Sequence, residues 1–248
     1  MTSHQSQTHT LRSETVPVRG LSEETARTAF EVFTASYEGA NWERFQRDLA
    51  AKDLISLFRD ADSGDLKGFS TSQVTILKRP RAVIVFSGDT VIDRRYWRQT
   101  AIYWEFALIL LKTQLRHPFR RVYWYLLSKG YRTYLTMITT CPISYPRYDS
   151  APRQDLSVVA EVESQRRYGA RYDVQHGVIR AAETEHVRPG LAPVNDSSPN
   201  PHVRFFLQRN PGHAAGDELV CVAHVRWRDS IGTLLRVRSW KKRRPKTH

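Results

Sequence analysis

Cysteine is scarce in this 248-residue chain: Cys141 and Cys221 are the whole complement. Two cysteines build no disulfide framework and match no zinc spacing. His176, His186, His202, His213 and His224 also lack metal-ligand spacing, so no metal is expected. Long apolar runs are missing too. The longest, Ala101 to Leu111, is interrupted by Glu105 and is about half the length a membrane span needs. The opening residues, MTSHQSQTHTLRSET, hold no apolar core of a signal peptide. No GxxxxGK[ST] loop occurs, which argues against ATP-dependent chemistry. A cytoplasmic, reducing setting is the expectation these absences leave.

What is present is enough for a folded core: 40% of residues are hydrophobic and 11% aromatic, which excludes wholesale disorder. The length suits one large domain or a core with an extension. The basic excess is strongly localised. Arg94 to Arg132 carries nine Lys/Arg against Glu105, and His224 to His248 nine against Asp229. Each stretch is therefore +8, and a total of +13 leaves the remainder at −3. Both stretches are candidate surfaces for an anionic partner, with plain solubility as the bland alternative.

Periodicity outlines the elements. Residues 1–14 read as a disordered leader, and Val16 and Val18 as a short edge strand. Ser22 with Glu23 and Glu24 opens a helix with its apolar face on Ala26, Ala29, Phe30, Phe33 and Tyr37. Asn41 caps a second, short helix. Leu54 to Phe58, Lys67 to Leu77 and Ala82 to Phe86 then read as a three-strand meander, with Ser87-Gly88-Asp89-Thr90 as the turn after it. A long apolar helix is expected from Tyr96 to Leu115, and a strand from Arg121 to Leu127 lying parallel to the last meander strand. Tyr131 to Thr139 and Leu156 to Tyr168 read as helices, and Gly177 to Arg180 as a last core strand. The composition shift over 181–201 suggests a linker. Beyond it, 202–248 is expected to hold two paired strands, His202 to Leu207 and Leu219 to Ala223, and a basic amphipathic helix with a tail.

This order of elements resembles the GNAT acyltransferase superfamily, over about Glu14 to Arg180. Gly68-Phe69 matches the Gly-aromatic pair that often opens the second arm of that family's hairpin. The resemblance implies an α/β (α+β) fold: a GNAT-like domain over 15–180 with a central mixed sheet flanked by helices, here with a basic C-terminal extension. It also implies an N-acyltransferase moving an acyl group from acyl-CoA or acyl carrier protein to a small amine or amino acid. The segment Val91-Ile-Asp-Arg-Arg-Tyr-Trp-Arg-Gln-Thr100 stands where such enzymes hold the donor pyrophosphate, so Val91, Arg94, Arg95, Arg98 and Gln99 are the expected donor-binding residues. A helix N-terminus with flanking arginines suits a phosphate on physical grounds as well. The family's loop alternates with glycines, whereas no glycine lies between Asp89 and Gly130 and Tyr96-Trp97 fill the loop. That departure does not suit an ordinary acetyl-CoA cradle. A subset of GNAT-like enzymes, the acyl-homoserine-lactone and N-acyl amino acid synthase-like branch, takes fatty acyl groups from acyl carrier protein, an acidic donor that would suit the basic stretch.

Acyl transfer to an amine needs a base and an acid for the leaving thiol. Glu105, a lone acid on an apolar helix, is the expected base, with an ion pair to Arg121 or Arg132 as its structural alternative. Tyr131 and Tyr134 are the expected acids, because GNAT-like enzymes often keep a tyrosine after the corresponding strand. Asp89 and Asp93 stand near a predicted strand end, where sheets place ligands, but turn chemistry explains them as readily. Cys141 has His117 as its nearest histidine in sequence and reads as a buried structural residue. The rival class is a non-catalytic binder of nucleic acid or of an anionic membrane through residues 226–246, where arginines interleave with Trp227 and Trp240.

Overall fold

The computed structural model describes residues 10–97, 100–181, 186–187 and 198–243. Expectations for residues 1–9, for Arg98 and Gln99, and for most of the 181–201 linker lie outside the described residues. In chain order the elements begin with β1 (Leu11–Pro17), α1 (Glu23–Thr34), β2 (Tyr37–Glu38), α2 (Trp42–Ala50), β3 (Leu54–Asp60), β4 (Leu66–Leu77) and β5 (Ala82–Ile92). Then follow α3 (Ala101–Arg116), β6 (Arg121–Ser128), α4 (Tyr131–Thr140), β7 (Ser144–Tyr145), α5 (Gln154–Tyr168), β8 (Tyr172–Asp173) and β9 (Val178–Ile179). The chain continues through β10 (His186–Val187), α6 (Pro201–Arg209), β11 (Glu218–Val225) and α7 (Trp227–Arg243).

Among the described residues one mixed sheet runs β1-β3-β4-β5-β6-β11-β9-β8, with β7 alongside β11, while β2 and β10 form a separate pair. β1, β3, β4 and β5 pair antiparallel, and β5 and β6 are parallel, joined by α3 as a crossover. This is the central mixed sheet flanked by helices that the element order implied.

The strand pleat divides the core. Val83, Val85, Val122, Trp124 and Leu126 pack toward Ile109 and Leu110 of α3, Met137 of α4 and Phe206 of α6. On the opposite face, Ile84, Phe86, Tyr123 and Tyr125 meet Leu156, Val159 and Ala160 of α5. Further along that face, Ile55, Leu57, Phe69 and Val91 meet Ala29 and Phe33 of α1 and Phe45 and Leu49 of α2. The two groups of helices thus stand side by side on one face and leave a strip of sheet between them.

Four expectations need correction. The leader does not reach residue 14, because Leu11 to Pro17 pairs in full with Asp60 to Leu54. Ser87 to Thr90 is no turn: β5 continues to Ile92, with Gly88 and Asp89 bulging opposite Thr71 between the pairs Ser72↔Ser87 and Ser70↔Thr90. The long helix starts at Ala101, since Arg94–Tyr96 winds as a 3-10 turn and the Tyr96 hydroxyl is drawn inward to donate to Asp60 Oδ2 at 2.7 Å. His202 to Leu207 is helix α6, not a strand. Asn200 caps it by accepting from the His202 amide, Pro201 occupies its first turn, and Val203 and Phe206 are its buried positions at helical spacing. Leu219 to Ala223 is a strand as expected, but it inserts beside β6 in the main sheet. Its Leu219, Cys221 and Ala223 belong to the same buried core as Val83 and Trp124.

Candidate active site

Parallel strands β5 and β6 pair from Ala82↔Arg121 as far as Ser87↔Leu126 and then part. Beyond that point β5 stays with β4 up to Gly68↔Ile92, while β6 stays with β11 up to Leu219↔Ser128. The opening lies at the carboxyl ends of both strands, where open α/β sheets bind ligands. Its origin is local. The bulge at Gly88-Asp89 bends β5, and the buried Trp124 indole N–H donates to Ser87 Oγ at 2.7 Å at the last shared pairing.

Gly88 is required by the packing of this bulge. A β-carbon there would lie 2.8 Å from Lys52 Cε and closer still to Thr71 Oγ1. The Thr71 hydroxyl is buried and has no hydrogen-bond partner among the described residues. Next to it, Asp89 borders a cavity of about 40 Å³ lined also by Phe33, Asn41, Phe45 and Asp48, room for a water or two or an ammonium group. Burial raises the Asp89 carboxyl above the usual range; nearby Lys52 and Lys129 pull it back down, and Asp48 pushes it up. The strip between the helix groups is floored by Phe86, with Lys52 Nζ 5.8 Å from the ring centroid and the Arg167 guanidinium 4.3 Å from it. Arg167 is held there by Glu163 at 3.1 Å and donates to Gln73 Oε1 at 2.6 Å.

On the donor side expected from the sequence, Arg94 stacks on Trp97 at 5.8 Å, and Arg132 of α4 at 4.8 Å. The Trp97 indole N–H donates to the Ile92 carbonyl at 2.9 Å, closing over the end of β5. Arg95 is engaged with Asp93 at 2.6 Å, which holds that carboxyl low. Val91 has its side chain buried beneath α1 and α2. Arg98 and Gln99, the other two expected donor-binding residues, lie outside the described residues. α3 begins at Ala101, and the Trp104 amide bonds back to the Thr100 carbonyl.

The expected catalytic residues are not gathered in one place. Glu105 is buried, and its two oxygens accept from Ser13 Oγ and Thr15 Oγ1, each at 2.7 Å. Its partners are thus hydroxyls of β1, where the sequence suggested Arg121 or Arg132. It sits under α3, on the sheet face opposite Asp89. Tyr131 is half-buried at the start of α4, directly after β6. Tyr134 is one turn on and fully enclosed, with Phe205, Phe206 and His202 of α6 around its ring. Its hydroxyl has no partner among the described residues, and burial raises its pKa. Cys141 is buried with its thiol pushed up to about 12 and Thr140 as its contact, an inert environment. Sequence reasoning missed Lys52, Thr71, Lys129 and Arg167, and gave Trp97 no role beyond filling the donor loop. Lys52 and Arg167 come together over the Phe86 ring, a contact between residues far apart in the chain.

No protein-family model and no curated protein matches this sequence. Among solved structures, the chain is similar to a conserved protein of unknown function, a probable N-acyltransferase, from Enterococcus faecalis V583, at 16% identity and a TM-score of 0.38. It is also similar to a GNAT family N-acetyltransferase from Escherichia coli solved with CoA, at 14% and 0.32. A third is glucosamine-6-phosphate N-acetyltransferase from Arabidopsis thaliana, at 11% and 0.38. The likeness covers 50%, 49% and 59% of this chain and 31%, 63% and 99% of those chains. The chain thus spans less than two thirds of the length of the first two. At these values the assignment of roles rests on this chain's own residues.

Proposed function

We propose that this chain is a GNAT-like N-acyltransferase, taking an acyl group from a thioester donor, acyl-CoA or acyl carrier protein, to the nitrogen of a small amine or amino acid. The observation that carries this reading is the parting of β5 from β6 beyond Ser87↔Leu126, with Asp89 two residues past the last pairing on a cavity wall. An extended acyl-carrying arm fits between parted strands, because the backbone groups facing the gap replace the lost ladder for it. Its phosphate-bearing end would lie toward the α3 N-terminus and Arg94, and an acidic carrier protein would suit the same basic stretch.

In this reading the amine nitrogen attacks the thioester carbonyl carbon. A C–N bond forms, the C–S bond breaks, and the sulfur leaves with its electron pair. Asp89 accepts the proton from nitrogen, a task suited to a carboxyl raised by burial. Tyr131, at the mouth of the opening, donates a proton to the departing sulfur. Backbone N–H groups of β5 beyond Ser87 stabilise the carbonyl oxygen as charge develops on it. Glu105 then serves to hold α3 against β1, and Tyr134 to pack α4 against α6.

Thiol release tests this. The full chain would be assayed with acetyl-CoA, a long-chain acyl-CoA and a fatty-acyl carrier protein against a panel of amines and amino acids. Turnover with at least one donor, lost at least tenfold in Asp89→Asn, supports the reading. Absence of turnover with every donor, together with no thermal stabilisation by CoA or carrier, would reject it.

A further inference from the structure

A second feature lies away from the parted strands, on the outer faces of α3 and α7. The two helices pack antiparallel. Gln114 Nε2 donates to the Val225 carbonyl at 2.8 Å at one end of the pair, and the Tyr103 and Trp240 rings meet at 6.5 Å at the other. Ser230, Thr233 and Val237 form the buried line of α7. Its opposite line, at i, i+4 and i+8, is Trp227, Ile231 and Leu235, of which Trp227 is 64% and Leu235 61% exposed. The adjoining outer line of α3 and its following turn carries Leu115 at 72% and Phe119 at 85%. Single exposed apolar side chains are ordinary. Four large ones on two packed helices, with a fifth in the turn that follows one of them, are not.

Among the described side chains of these helices, the exposed charges have one sign. Lys112, Arg116, Arg228 and Arg238 are exposed and form no ion pair among the described residues. The two helices contain two acids, Glu105 and Asp229. Glu105 is buried under β1, and Asp229 is turned inward and clasped by Arg226 at 2.9 Å. The sequence beyond α7 adds Arg244 and Lys246. We propose that the outer faces of α3 and α7 form a docking surface for an anionic lipid bilayer, with α7 lying in the headgroup plane.

Lipid is favoured over a nucleic acid because Leu115, Ile231 and Leu235 are aliphatic. They offer nothing to a phosphate or a base stack, whereas large apolar side chains ringed by arginines are what a headgroup layer accepts. Lying on the surface also agrees with length and polarity: among the described residues no helix is long and apolar enough to cross a membrane. The surface lies on the α3 side of the sheet, opposite the Asp89 cavity, so docking leaves that cavity facing water.

Co-sedimentation of the full chain with vesicles decides this. The vesicles are phosphatidylcholine alone and phosphatidylcholine with phosphatidylserine; a single-stranded RNA oligonucleotide is the competitor. The expected result is binding to the anionic vesicles alone. Arg228→Glu with Arg238→Glu should weaken it roughly tenfold or more. Leu235→Ala with Phe119→Ala should weaken it too and leave part of the remainder abolished by salt. All four positions are exposed, and an unchanged Tm checks that the variants fold. Failure to bind anionic vesicles at low salt would overturn the proposal. So would binding that ignores Leu235 and Phe119, vanishes entirely with salt and is displaced by the RNA, since that marks a general polyanion surface.

Discussion

The Trp124 indole N–H donates to the Ser87 hydroxyl at 2.7 Å, both groups buried, at the pairing where β5 and β6 last run together. This bond ties the floor of the opening across two strands whose ladder ends there. Ser87→Ala would strand a buried donor and is expected to destabilise the chain by about 1–3 kcal/mol. Urea unfolding of Ser87→Ala, Trp124→Phe and the double variant measures it. The double variant should lose less than the two singles together, since the orphan disappears.

Gly88 supports a second prediction. Gly88→Ala drives a methyl into Thr71 and Lys52, an overpacking expected to cost about 1–3 kcal/mol. Thr71→Ala in the same chain removes the closest atom and should recover a substantial part of the loss. A double variant no better than Gly88→Ala would show that the strain lies in the backbone of the bulge.

Asp89 links the opening to pH. Its carboxyl is raised by burial, so the folded chain binds this proton more tightly than the unfolded chain. The associated stability is complete below the ordinary carboxylate range and is lost as pH rises through the raised folded value. Asp89→Asn should therefore be as stable as the parent or more so at neutral pH, while turnover falls at least tenfold. In the parent, kcat/KM should climb with pH through that raised value, as the base loses its proton. A pH-rate profile and a parallel unfolding series check both halves.

Glu105 separates the two carboxylates. Its oxygens take two hydroxyl hydrogen bonds from β1, and glutamine keeps one acceptor oxygen. Glu105→Gln is expected to lower stability by about 1–2 kcal/mol with kcat changed less than twofold. A tenfold fall in kcat at unchanged stability would move Glu105 into the chemistry.

Acid should loosen a different part of the sheet. The Asp60 carboxyl is held at about 2, first by the Ser63 amide and next by the Tyr96 hydroxyl. A depressed folded value gives stability that is present above the ordinary value near 3.8 and lost as pH falls toward 2. Tyr96→Phe removes one of those bonds. The parent's lead in Tm over that variant should be full near neutrality and shrink between about pH 4 and 2.

The local signals in the sequence were sufficient for most elements. Ser22 and Asn41 cap the helices they were expected to cap, each accepting from the amide three residues on, and the apolar run Ala82 to Phe86 is a buried strand with a parallel neighbour. Pattern reading failed where a short apolar stretch fits two periods. His202 to Leu207 reads as a strand in isolation, yet Asn200, Pro201 and the pocket for Phe206 make it a helix.

The sequence by itself determined the mixed α/β order, the confinement of positive charge to two stretches, and the presence of acids within or next to apolar segments. Those follow from side-chain spacing and composition, which act over a few residues. The tertiary structure alone decided which acid faces a cavity. Glu105 is buried and Asp89 half-buried, but α3 presents Glu105 to β1 hydroxyls, while the bulge opposite Thr71 turns Asp89 toward α1 and α2. Strand register and helix packing set that difference, through contacts between residues distant in the chain.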